Sequence, residues 1–253
     1  MASVELREKQ REQLERTIGW ARRIRAELAP VLEAHGTEVH FRPSSSGVAL
    51  VGLLADRPQR GKGGITNLNS LSEGFAAMFE THCRAIEQGR VTGEKALQSY
   101  LIRDAAKHGG RLAALNDASA LTREPVELWF VTDEISLPTE RGKMVCDILA
   151  LRRDAQRVTP VVIELKDSRQ MRRLIEQLDG YAALIEQHAD SFAELFGVLL
   201  GERLEFDGPT EKWIVWPAAG PGPETRTGLL RARGVRVVSY SRDGAAYLFQ
   251  VGA

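Results

Sequence analysis

The chain has 253 residues, enough for one large domain or for a domain of about 150 to 200 residues with an appendage. Hydrophobic residues make up 43% and charged residues 27%, which excludes a chain that is disordered or coiled-coil throughout. Lysine plus arginine and aspartate plus glutamate each number 34, so the net charge is zero and there is no chain-wide basic footprint for nucleic acid, although a basic patch beside an acidic site averages to the same value.

No apolar run approaches the roughly 18 to 20 residues that cross a bilayer, and the N-terminus, MASVELREKQREQLER, is charged where a signal peptide needs an apolar core. The expectation is a cytoplasmic protein with no membrane partner. Cys83 and Cys146 carry no C-x-x-C or Cys/His spacing, which argues against a disulfide framework or a structural zinc.

From Val4 to about His35, the residues Leu14, Ile18, Ala21, Ile24, Leu28 and Leu32 recur at steps of three and four, the pattern of one helical face, with Pro30 kinking or interrupting it. That face must bury itself on the body of the protein or on another copy, the second choice implying a homodimer. Glu38 to Ala55 reads as two short strands around a Pro-Ser-Gly turn, and DRPQRGKGGITNLNS after it as a linker or mobile loop. Its Arg60-Gly61-Lys62-Gly63-Gly64 cluster is not a phosphate loop, because Lys62 is followed by glycine rather than Ser or Thr and the glycine spacing is wrong.

Ser72 to Gly89 and Gly93 to His108 read as helices, the second closed by Gly109 and Gly110. The period then changes to that of strands at Glu127 to Leu137, Lys143 to Leu151 and Pro160 to Lys166, joined by turns short enough for antiparallel hairpins. Helices follow at Ser168 to Gln187 and Ala189 to Leu200. After them come a strand at Lys212 to Trp216, a short helix at Glu224 to Arg233, and strands at Val235 to Tyr240 and Ala246 to Val251. This order predicts an α/β fold with a mixed central β-sheet flanked by helices.

The chemistry concentrates at PVVIELK, Pro160 to Lys166. In a strand alternate residues share a face, so Glu164 and Lys166 point one way and Val161, Ile163 and Leu165 the other. Asp147 lies in the preceding strand among Cys146, Ile148 and Leu149, where an unpartnered carboxylate costs several kcal/mol of desolvation. If the two strands pair, two carboxylates and an ammonium converge. Adjacent carboxylates need a proton, a lysine or a cation between them, and Mg²⁺ suits their oxygens while leaving positions for a phosphate.

Asp147 followed by Glu164-Leu165-Lys166 on a strand resembles the PD-(D/E)xK nuclease superfamily, the restriction-endonuclease-like fold. Gln177-Leu178-Asp179-Gly180-Tyr181, on the next helix, resembles the Q-x-x-x-Y element of its recombination and repair nucleases. The resemblance covers the last two thirds of the chain, with residues 71–253 as the nuclease-like domain and 1–70 as a helical N-terminal extension and small hairpin. It implies that Asp147 and Glu164 are metal ligands for Mg²⁺ (or Mn²⁺), that Leu165 adds its backbone carbonyl, and that Lys166 is the catalytic lysine. Gln177 and Tyr181 would support the site or contact substrate. Cys146 stands where the family name has proline, a frequent departure. Many members carry an acidic residue on the helix before the sheet; by order this is Glu94, with Gln98 and Glu80 as alternatives.

Arg169, Arg172 and Arg173 form a basic patch for a DNA phosphate backbone next to these positions. His40, His82, His108 and His188 lack metal-ligand spacing, Ser44, Ser45 and Ser46 lack a nucleophile context, Trp213 and Trp216 read as packing, and Arg231, Arg233 and Arg236 as a solvated face. The expected function is metal-dependent hydrolysis of phosphodiester bonds in DNA. The alternative is a catalytically inactive copy of the fold acting as a nucleic-acid-binding or assembly module.

Overall fold

In the computed structural model, Ser3 caps the first helix by accepting the Leu6 N–H at 3.2 Å. Residues 3–54, 57–59, 63–83, 93–120, 126–154, 157–168, 174–218, 224–244 and 246–251 are described. Helix α1 (Val4–Glu27) ends just before Pro30, which sits in the first turn of α2 (Ala29–His35), where its missing N–H leaves no helix bond unmade. Strands β1 (Val39–Ser44), β2 (Gly47–Leu54) and β3 (Arg57–Gln59) form a small antiparallel sheet. Gly47 turns the hairpin at a φ of +137°, and a Cβ there would lie 2.8 Å from the Ile65 carbonyl oxygen. Helices α3 (Leu68–Glu73), α4 (Phe75–Cys83), α5 (Gly93–Lys107) and α6 (Ala113–Ala120) follow.

The second half supplies β4 (Glu127–Asp133), β5 (Ser136–Thr139), β6 (Gly142–Val145), β7 (Ile148–Arg153), β8 (Val158–Leu165), α7 (Leu174–Gln187), α8 (Ala189–Leu200), β9 (Glu211–Pro217), α9 (Glu224–Ala232), β10 (Val235–Asp243) and β11 (Ala246–Val251). Six of these strands make a mixed sheet in the order β11-β10-β9-β8-β7-β4. β8, β9 and β10 run parallel to one another through helical crossovers, while β4, β7 and β11 pair antiparallel. The mixed sheet flanked by helices agrees with the expected architecture.

Five readings need correction. The predicted strand Glu127 to Leu137 is broken after Asp133, and Lys143 to Leu151 is broken at Cys146 and Asp147, because Glu134 takes a left-handed φ of 46° that turns the chain out of the sheet. The freed pieces β5 and β6 pair with each other as a separate ribbon. The helix expected from Ser72 starts earlier and is split at Gly74 into α3 and α4. Helix α6 lies where no element was expected, and β3 and the Ile65 bridge to Val48 occupy part of the segment read as a loop, whose Arg60, Gly61 and Lys62 are outside the described residues.

Among the described residues, the buried apolar side chains fall into three clusters. One lies between the large sheet and α7, α8 and α9. A second lies on the opposite face under α5 and α6, and a third under the β1-β2 hairpin. Helix α1 joins two of them, placing Leu14, Ile18 and Ala21 in the first and Ile24 and Leu28 in the third, so its apolar face is buried on the body of its own chain. Arg22 pairs with Glu194 on α8, and Gln10 donates to the Pro138 carbonyl at 2.8 Å. No described helix is long and apolar enough to cross a membrane.

The hairpin is joined to the large sheet by a buried charge. A bulge at Val131 shifts the β4 pairing so that Asp133 comes opposite Ile148. The Asp133 side chain, fully buried, accepts from Arg42 Nε at 2.8 Å, lies 2.9 Å from His40 Nε2, and takes a second Arg42 nitrogen on its other oxygen. Burial opposes its ionisation, but the Arg42 guanidinium and His40 outweigh burial and hold its pKa below the ordinary carboxylate value. A depressed pKa contributes stability above the unfolded-state value, lost as pH falls through the folded one. Urea denaturation is therefore expected to show wild-type stability declining below about pH 4, with the decline flattened in Asp133→Asn. At pH 7, Asp133→Ala is expected to lose about 3–5 kcal/mol, since it leaves the buried Arg42 with Glu134 alone and takes away the acceptor of His40 and Gln98.

Candidate active site

The site is assembled at the ends of β7 and β8. Their antiparallel register sets Ile148 opposite Ile163, which brings Asp147 alongside the end of β8, where its Oδ2 accepts the Leu165 N–H at 2.9 Å. Along β8, Val161, Ile163 and Leu165 enter the core under α5 and α6, while Val162 faces α7. Glu164 shares the Val162 parity and is 3% exposed. The Lys166 N–H continues the pairing with β9 by donating to the Val215 carbonyl at 2.9 Å.

The Lys166 ammonium is the centre of the group. It donates to Glu164 Oε2 at 3.1 Å and to the Leu165 carbonyl at 3.0 Å, with Asp147 Oδ2 at 4.0 Å and Glu94 Oε1 at 3.9 Å. Glu94 belongs to the first turn of α5, a helix that packs on the other face of the sheet and meets the strand ends at its N-terminus. Gly93 permits that approach: a Cβ there would stand 2.8 Å from the Asp167 Cβ. Of the other two helix candidates, Gln98 points its amide at the Asp147 carbonyl, 3.0 Å away, and Glu80 is exposed on α4.

Glu164, Glu94 and Lys166 are shifted by their surroundings. Burial, and then repulsion from Asp147, push the Glu164 carboxyl well above the ordinary range, with Lys166 opposing. Burial and then the two nearby aspartates, Asp147 and Asp167, outweigh the attraction of Lys166 and raise Glu94. Burial works against the Lys166 ammonium, but Glu164, Asp147 and Glu94 together hold its pKa above the usual value. It is an amine held in its charged form among three acidic side chains.

Behind this group lie Cys146 and Tyr181. The Cys146 thiol is buried and donates to the Ile148 carbonyl at 3.0 Å; burial, then Glu164 and Asp147, push it far up, which keeps it an unreactive thiol. Tyr181, 1% exposed, donates its hydroxyl to the Ile135 carbonyl at 2.8 Å and so ties α7 to the chain just after the Glu134 turn. Gln177, one turn before Tyr181 on α7, is half-buried and lines a groove of about 1080 Å³ with Met144 and Lys143 from β6. Arg169, Arg172 and Arg173 lie outside the described residues.

Sequence reasoning missed two contributors and named Gln98 only as an alternative to Glu94. Asp133 ends the apolar run ELWFVTD just as Asp147 interrupts another, a signal that was available. Tyr240 had none: it donates its hydroxyl to the Lys166 carbonyl at 3.3 Å from a strand 74 residues later.

Among the described residues, no three His, Cys, Asp or Glu side chains are spaced as a ready metal cage; the carboxylates close on the ammonium instead. The donor set is nevertheless one that suits a hard divalent cation: Asp147, Glu164 and the Leu165 carbonyl are all oxygens, and all three already face one positive charge. No protein-family model matches the chain, and a search of curated proteins returns no match.

Glu164→Gln removes both the desolvation of a buried carboxylate and its repulsion with Asp147, while Lys166 keeps Asp147 and Glu94. Thermal melts at pH 7 in EDTA are expected to rise by about 2–4 °C, on the order of 1 kcal/mol. A lower midpoint would mean that the Glu164 pairing with Lys166 outweighs that repulsion.

Proposed function

We propose that this chain is a metal-dependent nuclease that hydrolyses phosphodiester bonds in DNA, with a PD-(D/E)xK active site on a restriction-endonuclease-like sheet. The observation that carries the reading is the Lys166 ammonium within 4.0 Å of carboxylates from Glu94, Asp147 and Glu164, supplied by a helix and two adjacent strand ends. A surface ion pair has no need of three acids around one amine, two of them partly or wholly desolvated.

In this reading Asp147, Glu164 and the Leu165 carbonyl hold Mg²⁺ or Mn²⁺. A bound ion of this kind polarises a phosphoryl oxygen and lowers the pKa of water it carries. The chain's own contribution is to present the oxygens and the amine in fixed relation. The Asp147 carboxylate is anchored by the Leu165 N–H, and the Lys166 side chain is aimed by Glu164 and Glu94. Lys166, kept charged by its neighbours, orients the attacking water or neutralises a non-bridging phosphate oxygen. Glu94 restrains that ammonium from the helix side. Arg169, Arg172 and Arg173 follow Lys166 in sequence and supply cationic contacts to the DNA backbone.

The test is cleavage of plasmid, linear duplex and single-stranded DNA with Mg²⁺ or Mn²⁺. Wild type is expected to cut, EDTA to abolish cutting, and Asp147→Ala and Lys166→Ala each to lose on the order of 10²- to 10³-fold in rate. Equal activity in all three proteins would discard the assignment; metal-independent DNA binding without cutting would favour a binding module.

A further inference from the structure

Asp147 is held from behind as well as through its carboxylate. Its backbone carbonyl accepts from Gln98 Nε2 at 3.0 Å and from the Glu134 N–H at 3.4 Å. Gln98 is 4% exposed, next to the apolar Leu97 and Leu101 that seat α5 on the sheet, where a side chain serving packing alone would be apolar. Its amide nitrogen also donates to Asp133 Oδ2 at 2.9 Å, and its oxygen accepts from Lys95 Nζ at 2.7 Å. With the oxygen taken by a cation, the amide has one orientation that satisfies every partner: the NH₂ between the Asp133 carboxylate and the Asp147 carbonyl.

The far end of this chain of bonds is the N-terminal hairpin. Arg42 and His40 of β1 grip Asp133, and Arg42 reaches Glu134 as well, which also pairs with Lys95. Glu134 is the one non-glycine residue with positive φ among those described. That unfavourable conformation brings its N–H to Asp147 and its carboxylate to Arg42 and Lys95 at once, a local cost held in place by the contacts around it.

We infer that Gln98 is a positioning residue for the metal site, acting through the Asp147 backbone, and that His40 and Arg42 of the hairpin hold it to that task through Asp133. The inference rests on the nuclease reading above. It makes the hairpin part of the catalytic apparatus although none of its residues reaches the reacting atoms, and it places Gln98 in the class of outer contacts that orient a metal ligand without touching the metal.

The experiment compares the full-length wild type with Gln98→Met, which keeps the length and removes both donors, and with Arg42→Lys, which keeps the charge and loses the fork. Mn²⁺ affinity is measured by calorimetry, and kcat and KM on duplex DNA. Gln98→Met is expected to weaken Mn²⁺ binding and lower kcat by about 10- to 100-fold with KM for DNA unchanged. Arg42→Lys shifts both the same way by less, and the double variant is no worse than Gln98→Met alone, because both act along one path. A folded Gln98→Met with wild-type Mn²⁺ affinity and kcat overturns the inference. Additive losses overturn the path through Asp133. Should Gln98→Met not fold, unchanged Mn²⁺ affinity in Arg42→Lys overturns it equally. A wild type that binds Mn²⁺ but cuts no DNA overturns the nuclease reading alone, with positioning still read from affinity; one that binds no Mn²⁺ overturns both.

Discussion

Ile148 lies opposite Ile163, and that registration between β7 and β8 is what brings a carboxylate from the end of each strand to the same lysine. A slip of one residue would send Glu164 into the apolar layer under α5 and α6 and leave Ile163 facing α7. The register is held by side chains that tolerate no such exchange, since Leu149, Leu151 and Val162 fill one layer while Ile148, Ala150, Val161, Ile163 and Leu165 fill the other, all of them fully buried. The polar site is thus located by apolar packing on both faces of the sheet.

Buried charge is handled in two different ways in this molecule. At Asp133 the acid is matched by Arg42 and His40, and its pKa is depressed. At Glu164 the acid is buried and then crowded by a second acid, and its pKa is raised despite a lysine at 3.1 Å. The first arrangement stabilises the fold and the second opposes it. The two are connected, because Gln98 spans from Asp133 to the backbone of Asp147, so the well-matched charge is tied to the acid that crowds the poorly matched one.

The N-terminal segment takes part in the same construction. Helix α1 threads two apolar clusters, its Gln10 and Gln13 bind carbonyls of the β5 strand, and the hairpin it leads into carries Arg42 to Asp133. The ribbon of β5 and β6, the Glu134 turn and the Tyr181 strut are then packed between α1 and α7. The broken strands serve these contacts: at the first break the Glu134 N–H turns to Asp147 and the Ile135 carbonyl to Tyr181, and at the second the Asp147 carbonyl receives Glu134 and Gln98.

Much of the site was legible in the residues alone. That Glu164 and Lys166 come together at the end of one strand, that Asp147 comes beside it from the neighbouring segment, and that the element order is that of a helix-flanked mixed sheet follow from repeats of two and 3.6 residues, which are properties of the local backbone, although Asp147 itself lies just before β7 rather than in it. Even Glu94 was named, but nothing in the sequence separates it from Gln98 on the same helix or Glu80 on the one before. Only packing decides that: α5 meets the strand ends at Gly93, so the first turn reaches Lys166, and the next turn reaches Asp133 instead. The hairpin's grip on Asp133, between residues 91 and 93 positions apart, has no local trace at all. Periodicity determines which way a side chain faces, whereas which distant partner it meets depends on how the finished layers close.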